Sequence, residues 1–69
     1  MNRYSLIWEY GIHHVFLDVT ESNFKAVIDD LSNEFEINIK DCKVPNGNAK
    51  EYSLIDYLGE KYIIGYIYN

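Results

Sequence analysis

Two adjacent histidines, His13 and His14, and a single cysteine, Cys42, are the side chains in this chain best suited to nucleophilic, acid–base or metal chemistry. Their spacing speaks against each use. Neighbours in an extended segment point to opposite faces, so the two imidazoles do not converge on one ion. A general base needs a partner that orients it, and the sequence names none. The lysine beside Cys42, Lys43, is of the kind that lowers a thiol pKa, and a Cys42 pair with His13 or His14 depends on an adjacency that only the fold can supply. There is no Cys/His cluster at zinc spacing. Pro45-Asn46-Gly47-Asn48 has turn composition and lacks the Gly-rich run ending in Lys-Ser/Thr of a phosphate loop. Asp29 and Asp30 are helix neighbours that imply no cleft, unlike the facing carboxylates of a glycosidase. The expectation is a non-enzymatic protein with no catalytic residue, no metal and no cofactor.

What remains is charge and tyrosine. The formal net charge of −5 is local: Asp18, Glu21, Asp29, Asp30, Glu34 and Glu36 fall in one segment that holds a single base, Lys25, while acids and bases balance elsewhere. An acidic chain without a basic run is poorly suited to neutralising phosphates, so direct nucleic-acid binding is not expected. Seven tyrosines, among them Tyr62, Tyr66 and Tyr68 in the last segment, bring large contact area with a polar tip, the chemistry enriched at protein interfaces.

The elements that position these residues follow from periodicity. Arg3–Tyr10 and His13–Val19 alternate in strand fashion, with Gly11 as the turn, and form a first hairpin. Thr20 is an N-cap, Glu21 follows where the helix dipole favours an acid, and Phe24, Val27, Ile28, Leu31 and Phe35 recur at three and four residues. That pattern predicts a helix from about Glu21 to Asn33. Its outer face carries Ser22, Ala26, Asp29, Asp30 and Asn33, with Glu34 near its end. Phe35, Ile37 and Ile39 alternate as a third strand, Lys43–Lys50 reads as a loop, Glu51–Tyr57 as a fourth strand in preference to one turn of helix, and Lys61–Tyr68 as a fifth. In the last strand Ile63 and Ile67 are expected towards the helix, and Tyr62, Ile64, Tyr66 and Tyr68 away from it. Gly65 inside that strand signals a bulge or the close approach of another backbone. The fold class is α+β: one domain over residues 1–69, order ββαβββ, a mostly antiparallel sheet with one helix packed on one face.

A chain of 69 residues with one cysteine has no disulfide and a small core, worth about 3–5 kcal/mol. No apolar stretch approaches the ~20 residues a bilayer span needs, no signal peptide is apparent, and a cytoplasmic location is expected. The abundance of Ile, Asn, Lys and Tyr suits an AT-rich genome, such as that of a low-GC bacterium or its phage. Acids near a helix C-terminus oppose the dipole, and a local choice that lowers stability points to function; read plainly, the same face is a solvated surface that maintains solubility. The favoured function is a small inhibitor or adaptor. It docks Asp29, Asp30, Asn33 and Glu34, helped by Tyr62, Tyr66 and Tyr68, on a basic surface of a larger protein. A nucleic-acid-binding enzyme such as a phage-defence nuclease is the concrete example, with the acids mimicking phosphates. The alternatives are a homodimer through the tyrosine-rich sheet or the edge of the last strand, and an immunity-type antitoxin.

Overall fold

Alternation of large apolar residues drives the first two strands, and turn chemistry closes the last two. In the computed structural model, which describes residues 2–10, 13–45 and 47–68 with the side chains of Glu9 and Tyr10 excepted, the elements are β1 (Arg3–Tyr10), β2 (His13–Val19), α1 (Glu21–Ser32), β3 (Glu36–Val44), β4 (Gly47–Ile55) and β5 (Lys61–Tyr68). The strands form one antiparallel sheet in the order β2-β1-β5-β4-β3. The α+β class and the ββαβββ order match the reading of the sequence. The turn assigned to Gly11 lies outside the described residues, as does Asn46.

α1 begins where its chemistry predicts. The Thr20 hydroxyl accepts from the Asn23 backbone N–H at 3.1 Å, and Glu21 occupies the first turn, bound to Lys25 at 2.8 Å. At the other end the Leu31 carbonyl accepts from Glu34 at 3.1 Å and from Phe35 at 2.8 Å, closing the helix. The inner stripe is as spaced: Phe24 is buried, and Val27, Ile28 and Leu31 are half-buried. The Phe24 ring packs on Tyr4 of β1 at 5.5 Å and edge-on to Tyr52 of β4 at 5.1 Å. Full burial of a phenylalanine contributes about 2–3 kcal/mol, a large share for so small a core.

Three expectations change. The segment Lys43–Lys50 is not a loop: β3 and β4 form a tight hairpin in which Val44 stands opposite Gly47, with Pro45 and Asn46 between them. The last strand does not keep one register. Tyr52 opposes Gly65 but Ser53 opposes Ile63, so Ile64 is an extra residue in a bulge. Upstream of the bulge the faces swap. Tyr62 stands opposite Leu54, and Ile64 is buried with Val27, Leu31 and Leu54 beneath the helix. Ile63, opposite Ser53, takes the far side, beside Phe16 and Tyr66. Downstream, Ile67 keeps the helix side, opposite Tyr4, and Tyr66 and Tyr68 the far side, as expected. Third, β5 lies between β1 and β4, so the last strand offers no outer edge for a dimer. Gly65 meets both readings made of it: it adjoins the bulge, and a Cβ there would run into the Ser5 carbonyl oxygen.

Candidate docking surface

The sheet register gathers one end of the molecule. Glu36, at the start of β3, stands opposite Ile55 at the end of β4, which stands opposite Lys61 at the start of β5. The last turn of α1 leads directly to Glu36, so Asp29, Asp30, Asn33 and Glu34 collect at the same end as the β4–β5 turn. Asp56 builds that turn. Its Oδ1 accepts from the backbone N–H groups of Leu58 and Glu60, both at 2.9 Å, and its carbonyl accepts from Gly59 at 3.0 Å. Gly59 has φ of 81°, a conformation that a side chain disfavours.

The turn carries a feature that the sequence reading missed. Tyr57 and Leu58 stand out at 78% and 86% exposure, an aromatic and an aliphatic side chain on the rim of the acidic end. Tyr57 is fixed there: its ring packs on Phe35 at 5.4 Å and its hydroxyl donates to Glu34 Oε1 at 3.2 Å. A dipeptide placed between strand and turn signals carries no mark of this, because the partner, Glu34, lies 23 residues away.

Charge pairing makes the end electronegative. Arg3 sits against Asp18, Lys25 against Glu21, Lys50 against Asp41, and Lys40 and Lys61 against Glu51. Among the described residues, Asp29, Asp30, Glu34, Glu36, Asp56 and Glu60 have no basic side chain within ion-pair distance. The C-terminal end of the helix macrodipole adds partial negative charge at the same place. Two phenols report the field. A hydrogen bond of 2.8 Å to Glu60, with the charges of Glu60 and Asp56, pushes the Tyr62 phenol up to about 12. Partial desolvation and the Glu34 carboxylate raise Tyr57.

The residues expected to form one contact set divide between two surfaces. Asp29, Asp30, Asn33 and Glu34 are exposed on and beyond the helix, and Tyr62 adjoins them through Glu60. Tyr66 and Tyr68 lie on the opposite face, half-buried and stacked at 5.8 Å. There Tyr66 donates to Glu51 Oε2 at 3.2 Å, Phe16 packs on Tyr66 at 6.0 Å, and the Arg3 guanidinium sits 5.3 Å over the Tyr68 ring. Burial, then the bond to Glu51, raises the Tyr66 phenol to about 12. These side chains lie across the small residues of the sheet floor, Ser5 opposite Tyr66 and Ala49 opposite Tyr68, both buried. The far face is thus covered in part by its own tyrosines.

The nucleophile readings separate as well. Cys42 lies on β3 and His13 and His14 on β2, the two outer strands. Four inter-strand spacings, roughly 19 Å, divide them, so no Cys–His pair forms. Among the described residues no three His, Cys, Asp or Glu side chains are grouped to hold a metal ion, and no helix is long and apolar enough to cross a membrane. Compared with family models, with curated proteins and with solved structures, the chain matches none.

Proposed function

We propose that this protein is a non-enzymatic binding module, an inhibitor or adaptor, that docks its acidic end on a basic surface of a larger protein. The observation that carries the reading is the pairing pattern: nearly every base is held by a local carboxylate, while six carboxylates without a basic partner share one end with exposed Tyr57 and Leu58. Carboxylates give steering and specificity, and an aromatic–aliphatic pair at their rim supplies desolvated contact. Asp29, Asp30 and Glu34 are the primary contacts, with Asn33, Tyr57, Leu58 and Tyr62 around them. Tyr66 and Tyr68 lie on the other face, outside the reach of a partner seated on this end. A partner surface that accepts such an array normally holds phosphates, so competition with nucleic acid is the expected mode of inhibition. A phage protein acting on a defence nuclease and an immunity protein acting on a toxic nuclease both fit this chemistry, in the cytoplasm of a bacterium.

The test is an affinity pull-down from low-GC bacterial lysate, with the wild-type protein and the Asp29→Lys/Asp30→Lys variant as baits. The wild type should retain a basic, nucleic-acid-binding protein at low salt and release it at high salt. With that protein purified, the variant should bind more than tenfold more weakly, with a flatter salt dependence. Equal affinity of the two forms would sink the reading.

A further inference from the structure

The sheet has two outer strands, and they differ in kind. β3 carries Glu36, Lys40, Asp41 and Lys43 along its length, the charged pattern that keeps an edge from pairing with another chain. β2 reads His-His-Val-Phe-Leu-Asp-Val, without lysine, proline or bulge, and its full length pairs in regular register with β1 on one side only. Its centre is apolar on both faces. Val15 and Leu17, on the helix side, are 45% and 43% exposed, and Phe16, on the far side, is 57% exposed. α1 lies over the β1–β5–β4 side of the sheet, with Phe24 on Tyr4 and Tyr52, and Val15 and Leu17 of β2 stay open on that face. The molecule as a whole exposes 5310 Å², where a compact monomer of 8.1 kDa exposes about 4,500 Å². The surface is thus larger than that of a compact monomer of this size, and the apolar side chains at the centre of β2 are among those that remain exposed.

We propose that β2 pairs antiparallel with β2 of a second copy, about a two-fold axis at Phe16, to give a continuous ten-stranded sheet. The inference is independent of the acidic-end reading. A second copy is the occupant that the strand itself selects. A two-fold axis normal to a sheet keeps every residue on its own face, so it must pass through a residue, and Phe16 is the middle of the seven in β2. That register pairs the whole strand. Val15 meets the second copy's Leu17 on the helix side, while on the far side Phe16 meets its own copy and His14 meets the second copy's Asp18. At the centre apolar meets apolar; His14 meets the Asp18 carboxylate that Arg3 also contacts, and His13 meets Val19 at the ends; shifting the axis by one residue places Leu17 on it and sets His14 against the second copy's Thr20, beyond the strand.

Sedimentation analysis from 1 to 200 µM should show a dimer of about 16 kDa, twice the 8.1 kDa chain. Val15→Lys/Leu17→Lys places lysine opposite lysine on exposed positions and should raise the dimer dissociation constant at least 30-fold. A nitroxide on Phe16→Cys in a Cys42→Ser background checks the axis without depending on that variant: the two labels should lie within about 20 Å, against roughly 45 Å for labels on Asp41→Cys at the outer edges, nine strand spacings apart. A monomer throughout, a dimer unchanged by the two lysines, or a long distance between the labels at position 16 would each overturn the proposal.

Discussion

Ser5 is the buried residue whose chemistry fits its place least well. It is 1% exposed, and its hydroxyl is without a hydrogen-bond partner among the described residues. A small side chain suits the place, because Ser5 is buried opposite Tyr66, whose ring covers the far face of the sheet there. The oxygen on that side chain is not required. A buried hydroxyl without a partner costs roughly 1–3 kcal/mol, and alanine keeps the size. Ser5→Ala should therefore stabilise the fold by about 1 kcal/mol, read as a higher urea midpoint at unchanged slope; a lower midpoint would mean the hydroxyl is bound. Tyr62 and Tyr66 set a second expectation. Both phenols ionise near 12 in the fold and near 10 in the unfolded chain. The folded protein holds those protons more tightly, so their contribution is complete below pH about 10 and is lost as pH rises through about 12. Lys25 and Lys50, raised by Glu21 and Asp41, act in the same direction. Urea midpoints should fall from pH 9 to pH 11.5, and a Tyr62→Phe/Tyr66→Phe variant should fall less steeply. Equal slopes would show that the two carboxylates do not hold these phenols.

At the scale of elements, the sequence was legible where one local signal decided the outcome. β1 and β2 are strand-length runs rich in branched and aromatic residues, and Thr20, Glu21 and the stripe from Phe24 to Leu31 define α1 to within a residue at its end. The first half of β4 was not legible. Gly47-Asn48-Ala49-Lys50 has no apolar alternation, and what holds it is the backbone ladder with β3 and the Lys50–Asp41 contact at 2.9 Å. The inward and outward positions of β5 failed for another reason. A period of two carries information only while the register is unbroken, and the bulge at Ile64 shifts it by one. Gly65 marked the irregularity but not which residue would be extra. The candidate site divides along the same line. The acids of the α1 outer face were readable from a helical projection, whereas Tyr57 and Leu58 became part of the site only through the turn that Asp56 closes and the contact with Glu34. The strand order, and with it the identity of the unprotected edge, depends on pairings of distant segments that no local pattern encodes.

On the scale of the whole molecule, the charge distribution has a consequence that requires no partner. The ion pairs of Arg3, Lys25, Lys40, Lys50 and Lys61 are formed by exposed bases, and pairs of this kind contribute little, about 0–1 kcal/mol each. Screening them removes little stability. The six carboxylates at the acidic end repel one another and the helix C-terminus, and that repulsion falls as the Debye length shortens from about 30 Å at 0.01 M to about 8 Å at 0.15 M salt. The balance predicts that sodium chloride stabilises this protein. The melting temperature should rise between 10 and 300 mM, at one protein concentration, because self-association makes melting concentration-dependent. Asp29→Lys/Asp30→Lys removes two of the repelling charges and supplies the C-terminal dipole with cations, so it should melt higher than the wild type at low salt and respond less to added salt. A melting temperature that falls with salt would mean that the paired bases, and not the crowded acids, dominate the electrostatics, and the acidic end would lose the local strain that distinguishes a docking surface from a solvated one.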